Sequence, residues 1–144
     1  MHSLLSEDTL RHFHDSFDRC QACEGFLDLF YERFLGSSEE IAALFTAVDM
    51  ARLKRMLRQS LILTMVASEG SKYSRQRLAA LGDLHRDAGV SPRHYDLWLD
   101  TLVSVVTELD GHFDAQVDRA WRDVMGLGIQ LMKERYPSAD GGAG

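Results

Sequence analysis

Between Ser6 and Tyr136 the chain holds a single proline, Pro92, and nowhere does it alternate apolar and polar residues as a half-buried strand must. What punctuation there is belongs to helices. Ser6 followed by Glu7 and Asp8 is a helix start, and Ser37-x-x-Glu40 has the form of a capping box. Gly36 and Gly89 each follow a helical pattern where a left-handed C-terminal residue is wanted, and Ser91-Pro92 restarts the next helix. These signals predict an all-α domain with helices near 7–22, 24–35, 38–46, 50–68, 75–88, 92–109 and 114–136. The joins are short, so consecutive helices must pack on one another.

At 144 residues, one domain with a substantial core is expected, followed by a small polar tail at about 137–144. The formal net charge of −6 speaks against nucleic acid, whose phosphates demand a positive surface. No apolar run approaches the roughly 20 residues of a membrane span. The opening "MHSLLSEDTL" lacks the basic-then-apolar order of a secretory signal, so a cytoplasmic protein is expected. Cys20 and Cys23 stand as C-x-x-C without the following histidine of a c-type heme site or a second cysteine pair for zinc. They read as ordinary thiols, with a disulfide switch as the alternative.

Six histidines are present, and His85 is the informative one. Leu78 and Leu81, seven and four residues earlier, share its helical face, so the imidazole should turn inward on the last turn before Gly89. An inward histidine alone is either a hydrogen-bonded core residue or a ligand. In the helix from Asp49, Leu53, Leu57 and Leu61 form an i, i+4, i+8 stripe flanked by Arg52, Lys54, Arg55 and Arg58. Tyr31 in "LFYERFL", Phe45 in "IAALF", "HY" at His94-Tyr95 and "RAW" ending in Trp121 complete the pattern.

In order and spacing these residues resemble the globin family, most closely the heme domains of bacterial flavohemoglobins and their single-domain bacterial relatives. The likeness covers most of the chain to about Tyr136. It implies a globin fold, a helical sandwich enclosing heme b between the 50–68 and 75–88 helices. It maps His85 onto the iron ligand, Phe45 onto the phenylalanine that stacks on the porphyrin, and Tyr31 onto the tyrosine beside the gas. Leu53 and Leu57 would complete the gas side. Leu61, Leu81 and Leu84 from the flanking helices, and Val90, Tyr95, Trp98 and Leu102 beyond the turn, would be cofactor wall.

With iron on Nε2, Nδ1–H needs an acceptor, and the carbonyl of Leu81 four residues back is in reach. Tyr95 matches a tyrosine that flavohemoglobins set beside the ligand histidine. Their partnering glutamate falls near Tyr136, with Glu134 close by. At Leu53 flavohemoglobins commonly carry glutamine, which leaves Tyr31 as the one strong donor on that side. Its hydroxyl either donates to a gas ligand or is buried against backbone. Donation to a charged acceptor contributes roughly 1.5–3 kcal/mol, about 10- to 150-fold in affinity. Met56 and Lys54 are alternative sixth ligands, and Lys54, Arg55, Arg93 and His94 are candidate partners for the propionates.

The implied function is reversible binding of oxygen, carbon monoxide and nitric oxide at a five-coordinate iron. The alternatives are a gas-sensor module, with a signalling partner or output domain, and a nitric oxide dioxygenase fed by a separate reductase. A monomer or a homodimer through the last two helices is expected.

Overall fold

The computed structural model describes residues 5–137, and within them every regular element is an α-helix. They are α1 (Glu7–Ala22), α2 (Phe26–Leu35), α3 (Glu39–Leu44), α4 (Met50–Ser68), α5 (Lys72–Asp87), α6 (Pro92–Leu109) and α7 (Ala115–Lys133). The expected tail lies almost wholly outside the described residues. No described helix is long and apolar enough to cross a membrane.

Side-chain oxygens start most of these helices by satisfying amides that have no intrahelical partner. Ser6 accepts from Thr9 N–H, Asp49 from Arg52 N–H, Ser71 from Ser74 N–H and Asp114 from Val117 N–H. Two local expectations are corrected. The cap of α3 is Ser38, not Ser37, because the Ser37 hydroxyl instead donates to the Phe34 carbonyl and closes α2. Gly36 keeps a right-handed φ of −87°, whereas Gly89 takes the left-handed value of 97°. The start of α2 is delayed to Phe26 by Gly25, which is left-handed at φ 87°.

α7 is the hub, packed on α1, α4, α5 and α6, while α2 packs on α3, α4 and α6. At the α1–α7 contact Trp121, Phe13 and Phe17 form an aromatic knot, and Trp121 Nε1–H donates to Ser16 Oγ at 2.8 Å. Burying each such ring is worth roughly 1.5–3 kcal/mol. Ser16 passes the network on to Asp110, which also receives two bonds from Arg19. Two glycines set how close α7 comes to its neighbours. A Cβ on Gly82 would stand 2.8 Å from Met132 Cα, and one on Gly128 2.8 Å from Thr64 Cγ2. The helices that hold Leu53 and His85 are thereby drawn onto the same face of α7.

The buried side chains fall into a large cluster around α1, α2, α4, α6 and α7 and a smaller one where Leu78, Tyr95, Ile129 and Met132 meet. Between them lies a cavity walled by members of both.

Candidate functional site

The cavity has a volume of about 230 Å³ and is lined mainly by apolar atoms. α4 contributes Leu53, Met56, Leu57, Ser60 and Thr64 to one wall, and α5 contributes Leu78, Leu81 and His85 to another. The turn after α5 and the start of α6 add Ala88, Val90, His94, Tyr95 and Trp98. Tyr31 and Phe34 enter from α2, and Ile41, Leu44 and Phe45 from α3 and its end. Met125, Ile129 and Met132, at i, i+4 and i+7 on α7, complete it.

His85 sits on the last turn of α5, as its spacing from Leu78 and Leu81 predicts. Burial pushes its pKa below the ordinary histidine value, which favours the neutral imidazole. The expected Leu81 carbonyl is not its partner: Nδ1 lies 3.1 Å from the Tyr95 hydroxyl. Tyr95, one turn into α6, reaches back across the Gly89 reversal and takes that role. Its hydroxyl lies 3.1 Å from that of Tyr136, on the turn after α7. Glu134, near where the carboxylate of the flavohemoglobin pattern was sought, is exposed at the C-terminal cap of α7.

The Tyr31 side chain is 5% exposed and its hydroxyl donates to the Leu53 carbonyl at 2.9 Å. That carbonyl belongs to the interior of α4 and accepts the phenol on its second lone pair. Burial raises the Tyr31 pKa far above the phenol range, so the hydroxyl keeps its proton.

At the rim, the Ser91 N–H donates to His94 Nδ1 at 3.0 Å. Nδ1 is therefore unprotonated, and Nε2–H donates to Glu40 Oε1 at 3.0 Å. Arg93 bonds the same carboxylate oxygen. His94 first and Arg93 second hold the Glu40 carboxyl below the usual carboxylate range. This fastens α3 to the start of α6.

Of the residues singled out from sequence, Tyr31, Phe45, Leu53, Leu57, Leu81, His85, Val90, Tyr95 and Trp98 come together around the cavity. Leu61, Leu84 and Leu102 do not. Leu61 and Leu102 are wholly buried in the large cluster, and Leu84 points outward at 65% exposure, about 100° round the helix from the adjacent His85 that lines the cavity. Lys54 pairs with Asp28 at 2.8 Å, away from the cavity, while Met56 lines it from a partly exposed position. Cys20 and Cys23 are free thiols; burial, aided by Asp110, pushes the Cys20 thiol up to about 12.

The globin family profile matches residues 28–130. The chain is a globin. Its fold superposes on the crystal structure of a protein from Pseudomonas aeruginosa PAO1, PA3967, described as structurally highly homologous to a human hemoglobin. The TM-score is 0.85 at 41% identity, over 90% of this globin and 99% of the Pseudomonas chain. No curated protein matches it.

Membership of the family implies heme, and the residues present fit one. Among the described residues no three His, Cys, Asp or Glu side chains converge as a cage for a metal ion. His94, the other imidazole on this cavity, is committed at both ring nitrogens to Ser91 and Glu40, whereas His85 is half-buried, favoured neutral and set beside an apolar slot, as an iron held in a porphyrin would require. Ring Nδ1 is already committed to Tyr95, which leaves Nε2 as the donor nitrogen.

Proposed function

We propose that this globin binds heme b through His85 and reversibly takes a diatomic gas (oxygen, carbon monoxide or nitric oxide) beside Tyr31. Bound heme would supply iron able to take an imidazole and a diatomic gas as ligands. The chain's own residues do the rest. Burial keeps His85 neutral, and Tyr95 holds its ring. Phe45, Leu57 and Val90 offer apolar wall and exclude water, which in globins guards ferrous iron against oxidation. Tyr31 carries the donor with which the site can favour oxygen, whose bound form gathers negative charge, over carbon monoxide.

The observation that carries this reading is that a neutral imidazole and a buried phenol, from α5 and α2, face one apolar cavity. The likeness of the Pseudomonas relative to hemoglobin supports it. The test is spectroscopic. Protein reconstituted with heme b should give a five-coordinate ferrous spectrum that shifts with carbon monoxide and reversibly with oxygen, and His85→Ala should abolish it. An unaltered coordination spectrum in His85→Ala would sink the assignment. Sustained nitric oxide consumption with a supplied reductase would make the same site enzymatic.

A further inference from the structure

The hydrogen-bond line from His85 does not end at Tyr95. It continues to Tyr136, and the turn that carries Tyr136 is tied to the very helix that carries His85. Arg135 Nε and Nη2 donate to the two carboxylate oxygens of Asp83 at 3.0 and 3.1 Å. Arg86 Nη1 donates to the Arg135 carbonyl at 2.7 Å and to Asp83 at 3.2 Å. Asp83 and Arg86 flank His85 on α5, two residues before it and one after. Tyr95 meets the two rings differently, tilted at 46° to His85 and edge-on at 89° to Tyr136.

The polarity of the line follows from counting protons. With Nε2 given to a metal, Nδ1 keeps the imidazole proton and donates it to Tyr95 Oη. Tyr95 has one hydroxyl proton, and its neighbour in line is Tyr136 Oη. The line therefore runs His85 to Tyr95 to Tyr136 and ends on a phenol hydroxyl; no carboxylate lies in it. Burial, and then the bond with Tyr136, raise the Tyr95 pKa, so Tyr95 keeps the proton it donates.

We propose that Tyr136 is a positioning residue for His85. By accepting from Tyr95 it polarises the Tyr95 oxygen as an acceptor, fixes the imidazole ring, and sets how much negative character Nδ1–H donation gives the ligand nitrogen. The Asp83–Arg135 clamp holds Tyr136 in place, so the segment leaving α7 tunes the iron ligand from outside the cavity. This rests on the reading of His85 as the iron ligand, and its test separates the two.

In the ferrous, unliganded holoprotein, Tyr136→Phe should lower the iron–imidazole stretching frequency and raise the midpoint potential, because Tyr95 loses its acceptor. Tyr136→Glu should move both in the opposite direction by ending the line on a carboxylate. Asp83→Asn, at a partly exposed position that leaves every ring intact, should reproduce part of the Tyr136→Phe shift. In the double variant it should add nothing to Tyr136→Phe, since both act through one hydroxyl. A merely structural Tyr136 would alter heme retention or melting temperature while leaving frequency and potential at the parent values, and that result overturns the proposal. A parent protein without an iron–imidazole band would overturn the His85 assignment as well.

Discussion

Tyr31→Phe removes one oxygen atom from a side chain that is 5% exposed and leaves no helical group unpaired. The Leu53 carbonyl stays inside α4, with its own helical amide. The heme-free protein should therefore lose only a neutral hydrogen bond, about 0.5–1 kcal/mol. The effect on oxygen must be reckoned against that same bond. To donate to a gas, the hydroxyl must leave a carbonyl it already meets at 2.9 Å. A bond to a charged acceptor is worth roughly 1.5–3 kcal/mol and the bond given up about 0.5–1 kcal/mol. The difference, about 1–2 kcal/mol, corresponds to roughly a 5- to 30-fold faster oxygen release in Tyr31→Phe. That lies below the 10- to 150-fold read from the sequence, where the hydroxyl has no competing acceptor. Carbon monoxide, a much poorer acceptor than a peptide carbonyl, should not draw the hydroxyl away, so its release should change by less than about twofold. Stopped-flow displacement of oxygen by carbon monoxide, and of carbon monoxide by nitric oxide, measures both rates. Equal acceleration for the two gases would refute the competition argument, and an unchanged oxygen rate would remove Tyr31 from the gas site.

Other outcomes follow from the packing and the charges. Gly82→Ala should destabilise by about 1–2 kcal/mol in urea melts, since overpacking against the α7 backbone at Met132 outweighs the roughly 1 kcal/mol gained in helix propensity. Gly126→Ala, where a Cβ meets nothing within 4 Å, should instead stabilise by about 0.5–1 kcal/mol. Burial would raise the Asp110 pKa, but Arg19, Ser16 and the His112 N–H together bring it down to about 2. A depressed carboxylate stabilises above its unfolded value near 3.9, and that contribution, roughly 2–3 kcal/mol, fades as pH falls from about 4 to about 2. Asp110→Asn should lose it at pH 7 and show a flatter acid limb in melts from pH 7 to 2. Glu40→Gln should release α3 from His94 and Arg93 and speed heme transfer to a scavenging apoglobin, an unchanged rate excluding the clamp from retention.

The parts legible in the sequence are those written in side chains that act locally. α1, α4 and α6 have the bounds their caps announce, because Ser6, Asp49 and Ser91-Pro92 work within one turn of themselves. α5 begins at Lys72, earlier than periodicity suggests, because its first turns face solvent around Tyr73 and Arg77 and carry little apolar stripe; only the Ser71 cap marks the start. α7 stops at Lys133, short of 136, and the freed turn brings Tyr136 back to Tyr95. The resemblance set a partner for Tyr95 near this position, but as a carboxylate; that a second phenol takes the place, 41 positions on, is seen only in the fold. Met125, Ile129 and Met132 were readable as an i, i+4, i+7 face on α7, but not as cavity wall. The acceptor for Tyr31 was equally hidden, since a backbone carbonyl leaves no mark in the sequence. Both readings of that tyrosine meet in one place: it is bonded to backbone, and it lines the cavity.

The two polar groups that matter most at this cavity are prepared in opposite senses. His85 makes a hydrogen bond through Nδ1 that a metal on Nε2 would keep and strengthen, so nothing has to be broken for the imidazole to act. Tyr31 spends its only proton on Leu53, so any bond to a gas is made in exchange for one already present. On this reading, anchoring is preorganised and selection is competitive. The Leu53 carbonyl then serves as the reference against which each gas is weighed, and an acceptor weaker than a peptide oxygen gains nothing from Tyr31. A leucine at position 53 sharpens this, because it adds no second donor that would help a ligand without first breaking a bond.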